Sequence, residues 1–221
     1  MTTYFRGNVS SQSMRIATKL PDILLDFSEG RFKNYSKGDF IYLPDDLSIN
    51  IYIITNGLVK IGGYSPTGKE VMFDCIFSSE FFGNLKYIEG NFFCEYAKAL
   101  VDTSVIELKV EKFKKLMHTE IEVSNWFHEI STLRWYRAES RLFRIASEKP
   151  QGRIMHLFPI LHEKIKDRNN KIYTLIELLS YQDIADLSGV SRQSAARILK
   201  ALDREKMYEA LSKLNEKPTL S

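Results

Sequence analysis

At 221 residues, with 44% apolar and 12% aromatic content, the chain has enough hydrophobic material for real cores in one large domain or two modest ones. A formal net charge of +3 is too slight to name a partner, so any nucleic-acid contact has to come from charge placed locally. The only cysteines, Cys75 and Cys94, argue against a disulfide framework and suit a reducing compartment. The opening "MTTYFRGNVSSQSMRIATKL" lacks the apolar run of a secretory signal or a membrane span, so a soluble, cytoplasmic protein is expected.

Up to about residue 110 the chain reads as short strands separated by turns. "RFKNY" and "FIYLP" flank "KGD", and "NIYIITNGLVKIGGY" sets Ile51, Ile53, Val59 and Ile61 among β-branched and aromatic neighbours. Asn56-Gly57 is expected to supply the positive-φ residues of a tight turn. "SPTG", Ser65 to Gly68, has Pro second and Gly fourth, the pattern of a type I turn. "EVMFDCIF" and "EYAKALVDTSVIELKV" continue the series, which predicts an all-β sandwich or barrel.

After Val110 the period turns helical. Val123, Trp126, Ile130 and Leu133 step by three, four and three along one side of a helix. Periodicity alone favours a helix packed on its own domain, because a coiled-coil seam wants about three or four heptads. Arg137 falls where the next apolar residue should be, so the stripe is expected to stop or rotate there. Pro150 and Gly152 break the helix and predict a hinge and domain boundary near 147–151. A helical run, "RIMHLFPILHEKIKD", follows with a kink at Pro159; "RNN" makes a turn, and "KIYTLIELL" fits a strand.

The stretch from Ser180 to Leu202 is the most informative. Ser180 is a candidate N-cap with Asp183 three residues on, close to a capping box; Ile184 and Leu187 face inward, and Gly189 supplies a left-handed residue that ends the helix. Ser191 caps a second helix whose buried face is Ala195, Ile198, Leu199 and Leu202. Two helices with a tight glycine turn and small Ala185 at their crossing make a helix-turn-helix. The outer face of the second helix is basic, with no acid before Asp203. Small residues let such a helix lie deep in the major groove of DNA, where Arg offers two hydrogen bonds to guanine and Gln two to adenine. The bland alternative is an exposed helical hairpin whose arginines are merely solvated. Caps, turn, buried face and basic face together favour double-stranded DNA as the partner, contacted by Ser180, Gln182, Ser191, Arg192, Gln193, Ser194, Arg197 and Lys200.

"DIADLSGVSRQSAARILKALDREKM" closely resembles the helix-turn-helix of the Crp/Fnr transcription regulators, and the resemblance extends over almost the whole chain. "KGDFIY" and "YIITNGLVKI" are similar to early strands of that family's jelly-roll sensor domain. The run from Thr119 to Ala146 looks like its long dimerisation helix, which shifts the reading of Val123, Trp126, Ile130 and Leu133 to a homodimer seam. The resemblance implies an α+β fold: a jelly-roll sensor of the cyclic-nucleotide-binding type over 1–118, a dimerisation helix and hinge over 119–147, and a winged-helix-type helix-turn-helix domain over 148–221. It also implies that Arg192 and Arg197 read bases or phosphates, and it adds RNA polymerase as a further partner. Gln193 stands where relatives often carry a base-reading glutamate, which alters the expected target, since Glu accepts from cytosine. Relatives follow with a glycine-containing wing; Met207 to Ser221 has no glycine, and "YEALSKLNEK" reads more easily as helix.

Cyclic-nucleotide-binding members hold the phosphate with Gly, then Glu, then an Arg next to Ser or Thr. In "FFGNLKYIEGNFFCEYAKAL" Gly83 and Leu85 fit, but Asn84 stands in place of the glutamate and Phe93-Cys94 in place of the Arg–Ser pair. A buried cyclic phosphate needs a cation or several donors, so these residues form an effector pocket ill-suited to a cyclic nucleotide unless Lys86 or Lys98 substitutes. A ligand-free roll and a more apolar effector are the other readings. Two thiols are too few for an iron–sulfur cluster, Cys75 has no histidine near it as a haem ligand set would want, and His118, His128, His156 and His162 lack metal-ligand spacing. No Gly-rich phosphate loop, GxSxG elbow or carboxylate pair supports an enzyme. The expected function is a sequence-specific DNA-binding transcription regulator with an unassigned effector. The alternative, motivated by the missing wing, is a ligand- or protein-binding module whose helix-turn-helix no longer binds DNA.

Overall fold

A computed structural model describes residues 19–26, 30–44, 50–85 and 94–202. Eight strands come first: β1 (Arg31–Tyr35), β2 (Phe40–Tyr42), β3 (Asn50–Asn56), β4 (Leu58–Tyr64), β5 (Glu70–Phe77), β6 (Phe81–Gly83), β7 (Tyr96–Ala99) and β8 (Thr103–Lys109). They form two four-stranded antiparallel sheets, ordered β1-β8-β3-β6 and β2-β7-β4-β5. This interleaving of strands distant in sequence is a jelly roll. Of the Asn56-Gly57 pair only Gly57 takes a positive φ, 115°; Asn56 stays extended as the last residue of β3. A Cβ at Gly57 would stand 2.4 Å from the Thr103 Oγ1, so the close approach as well as the dihedral demands glycine.

The strands alternate between two apolar environments. In β3, Tyr52 and Ile54 join Tyr42, Val59, Phe82 and Val105 between the sheets, while Ile51 and Ile53 point outward. Both faces of this sheet are therefore apolar, and the outer one has to be covered. Helices α1 (Val110–Thr119) and α2 (Ile121–Ser147) cover it: Phe113, Leu116, Val123, Trp126 and Ile130 pack on Ile51, Ile53, Phe81 and Ile106. The Trp126 indole N–H donates to the Ser79 carbonyl at 3.0 Å.

This corrects the seam expected from the sequence. Val123 and Ile130 are fully buried, and Trp126 and Leu133 nearly so, within their own chain, so a second helix cannot reach them. The packing of α2 on its own domain, favoured by periodicity, is what the fold adopts. Nor does the stripe stop at Arg137. That guanidinium continues it inward, 1% exposed, and makes two hydrogen bonds of 2.7 and 3.2 Å to the Glu80 carboxylate in the β5–β6 turn. Burial opposes its charge, but the paired carboxylate outweighs this and raises the Arg137 pKa further.

Beyond the break at Glu148 come α3 (Pro150–Met155), α4 (Phe158–Leu161), β9 (Lys164–Lys166), β10 (Ile172–Thr174), α5 (Leu175–Leu178), α6 (Tyr181–Ser188) and α7 (Arg192–Ala201). Pro159 begins a new helix rather than kinking one, and "KIK" within the expected helical run pairs as β9 with β10, which ends after three residues where α5 begins. The helical half is not a separate globule. Leu157, Phe158, Leu161, Leu175, Ile184 and Leu187 share one core with Leu58, Met72, Cys75 and Phe77 of the roll. Among the described residues no helix is long and apolar enough to cross a membrane.

Candidate nucleic-acid interface and ligand cleft

Local chemistry fixes both helices of the turn motif. The Ser180 hydroxyl accepts from the Asp183 N–H at 3.1 Å while the Asp183 carboxylate accepts from the Ser180 N–H at 2.9 Å, completing the capping box. At the other end Gly189 adopts φ 62°, the Val190 N–H returns to the Ala185 carbonyl and the Gly189 N–H to that of Asp186, a Schellman stop. A Cβ on Gly189 would also meet Ile145 at 2.7 Å, so the turn is seated against the end of α2. Arg153 reinforces this by donating to the Gly189 carbonyl at 2.9 Å. The Ser191 hydroxyl accepts from the Ser194 N–H and starts α7, whose Ala195 and Ile198 are buried against α6.

The opposite face of α7 is open. Ser191, Arg192, Gln193, Arg197 and Lys200 are exposed, and none of the three cations forms an ion pair among the described residues. Ser194 is half-buried, with its hydroxyl taken by Ser191 at 2.9 Å. The two candidates on α6 are placed differently. The Ser180 hydroxyl also donates to Asp183, and the half-buried Gln182 amide donates to Asp186 at 2.6 Å. The expected wing residues 207–221 lie outside the described residues.

Sequence reasoning missed what α6 does with its acids. Strand β5 is a sheet edge, and its Met72 N–H donates to the Asp186 carboxylate at 3.1 Å. The Lys60 ammonium on β4 lies 2.9 Å from the Asp183 carboxylate, with both side chains close to nine-tenths buried. Burial alone would raise the Asp183 pKa, but the hydrogen bonds from Ser180 and Lys60 outweigh it and hold the carboxyl below its ordinary range.

A second feature is a cleft of about 440 Å³ between the roll and α2, which receives Gly83 and Leu85 from the expected pocket. Asn84 and Cys94 sit beside it in the chain but do not line it, and Phe93 lies outside the described residues. Gly83 takes φ 112°, with the Asn50 carbonyl 2.6 Å from where a Cβ would be. Of the lysines weighed as replacement cations, Lys98 is turned onto the Phe40 ring at 4.6 Å and Lys86 lies outside the described residues. The cations that line the cleft are arginines: Arg134 and Arg141, from α2. Phe127, Ser131, Arg134, Ala138 and Arg141 step by four, three, four and three, so a second helical stripe in the sequence carried this information. Burial pushes the Cys75 thiol well up, which makes it a packing residue. No cluster of metal-ligating side chains occurs among the described residues.

Residues 32–120 match the cyclic nucleotide-binding domain family. The chain is 24% identical over 185 residues to the HTH-type transcriptional regulator ArcR of Staphylococcus aureus, covering 81% of this chain and 76% of that protein. It is 22% identical over 191 residues to the Cyclic AMP receptor protein of Thermus thermophilus, covering 86% and 84%. Among solved structures, a mutant of CooA from Carboxydothermus hydrogenoformans shares the fold with a TM-score of 0.65 at 17% identity, over 90% of this chain and 98% of that one.

Proposed function

We propose that this chain, which belongs to the Crp/Fnr family of transcription regulators, acts as a homodimer that binds a two-fold DNA site under the control of a small molecule held in its sensor cleft. The observation that carries the DNA reading is the outer face of α7. Three cations without an ion pair among the described residues, and a glutamine, lie on the exposed side of a capped helix whose inner side is locked to the rest of the fold. Arg192, Gln193 and Arg197 occupy its N-terminal part, the part that a helix-turn-helix presents to base edges. Lys200 lies further along and suits a phosphate. Ser180 and Gln182 are left with at most a backbone contact, because their side chains already serve α6. The division of labour is a sensor over 1–118, the helix over 119–147 and DNA binding over 148–221.

The dimer face moves to the other side of α2. Asn125, His128, Thr132, Trp135 and Leu142 follow a seven-residue repeat on the exposed side, with Trp135 66% and Leu142 68% exposed and Phe143 beside them at 65%. Trp135 and Leu142, two large exposed apolar groups seven residues apart on a 27-residue helix, suit a second copy across a two-fold axis. The effector is read as a more apolar molecule than a cyclic nucleotide, a reading supported by Ile61, Phe73, Leu85 and Phe127 in the lining of the cleft. Selection from a random DNA pool tests the reading: a palindrome with half-sites about 34 Å apart is expected. Trp135→Asp, followed by sedimentation, should give monomers that lose the palindrome. Recovery of no sequence preference at all would sink the DNA reading, and a stable Trp135→Asp dimer would sink the seam.

A further inference from the structure

We infer that Lys149, in the link between α2 and α3, grips the DNA backbone beside α7, so that the DNA contact runs from the turn motif to the hinge. This rests on the reading of α7 as the helix that enters the major groove, and adds to it a residue outside the turn motif. A cleft of about 390 Å³ lies alongside α7, with Lys149, Pro150 and Gln151 on one wall and Arg197, Ala201 and Leu202 on the other. Its lining among the described residues holds two cations and no carboxylate. Lys149 and Arg197 are both exposed, and neither forms an ion pair among the described residues.

The adjacent acid, Glu148, is committed elsewhere. Its carboxylate lies 3.0 Å from the Arg144 guanidinium and 3.2 Å from the His156 ring, and it does not line the cleft. The Arg153 guanidinium donates to the Glu148 carbonyl at 2.8 Å and to the Gly189 carbonyl at 2.9 Å. The link that carries Lys149 is thus tied to the same turn that sets α7. An α-helix is about 10–12 Å across and the major groove about 12 Å wide, so a helix seated there has a phosphate backbone on each flank. Whatever stands beside the helix meets that backbone, and the cleft stands beside α7. An ammonium serves a phosphate as a point charge, while Pro150, Ala201 and Leu202 suit the C–H edges of deoxyribose. The exposure of both cations fits a polyanion passing over the surface better than a small anion that has to be enclosed.

The test compares the full chain alone and bound to the DNA site it selects from a random pool. Acetylation of lysines, read by mass spectrometry, should slow roughly fivefold or more at Lys149 in the complex, where a phosphate covers the ammonium. At Lys69, an exposed lysine in the β4–β5 turn, it should not change. Lys149→Gln should keep the selected sequence, lower the salt slope by about 1 per subunit and weaken every site about fivefold per subunit at about 0.15 M salt. Lys149→Arg should restore both. The protection needs no variant, so a misfolded Lys149→Gln protein leaves the inference testable. Equal acetylation of Lys149 with and without DNA, or a Lys149→Gln slope equal to that of the wild type, would overturn the contact while α7 kept its DNA. A changed consensus in Lys149→Gln would overturn the backbone assignment and move Lys149 to a base. Recovery of no DNA by the wild type would instead overturn the reading of α7 on which the inference stands.

Discussion

The two helices of the turn motif put their charges to opposite uses. On α6, Asp183 and Asp186 are engaged by Lys60 and by the Met72 N–H of the sensor roll. On α7, Arg192, Arg197 and Lys200 are engaged by nothing among the described residues. Where the fold has already matched a charge, its removal should be felt as lost stability or loosened docking. Where it has not, removal should leave the fold intact and be felt only when a partner is added. The first helix therefore reports on how the DNA-binding half is held, and the second on what it touches.

The contrast is tested hardest on the matched side at Arg137. Arg137→Leu leaves the Glu80 carboxylate 3% exposed and unpaired, and should cost about 3–5 kcal/mol in denaturant unfolding. Adding Glu80→Gln should recover a good part of that loss. A cost near zero would mean that water reaches the pair and that this side is not dry.

Asp183→Asn removes one partner of a less buried pair and should cost about 1–3 kcal/mol. Its pH dependence has a definite sign. The folded carboxyl lies below its ordinary 3.8, so its contribution is complete above that value and disappears as the pH falls through the folded value. The difference in thermal stability between the wild type and Asp183→Asn should thus persist into mild acid and close only in strong acid. A difference that already closed near neutrality would point to some other group.

On the unmatched side, Arg197→Ala should leave the melting temperature unchanged. Its cost should be about 1–3 kcal/mol of DNA affinity, with relaxed preference at one position per half-site. Unchanged affinity with the wild-type consensus would show that α7 turns another face to DNA. Lys200→Ala is the smallest change: all sequences should weaken alike, and a salt titration should lose about 1 from its slope per subunit. A sequence-dependent loss would move Lys200 from phosphate to base.

What the sequence by itself determined is local. The capping box at Ser180, the left-handed Gly189 and the Ser191 cap involve hydrogen bonds and dihedrals within about four residues, so the helix-turn-helix was legible from its own stretch. The strand-rich first half and the helical stripe at Val123 to Leu133 were legible for the same reason, since a side-chain period follows from backbone geometry. What only the tertiary structure decided was the partner of each face. A stripe's period does not say whether a sheet of the same chain or a second helix covers it, and the outward-facing Ile51 and Ile53 settled that in favour of the sheet. The cleft's cations come from α2, some forty residues beyond the loop where sequence comparison looked for them. Arg137 reads as an interruption until Glu80 is brought to meet it, and Asp183 reads only as part of a capping box until Lys60 of the roll arrives. Charge pairing and burial depend on which distant segments meet, and the residues adjacent in sequence do not carry that information.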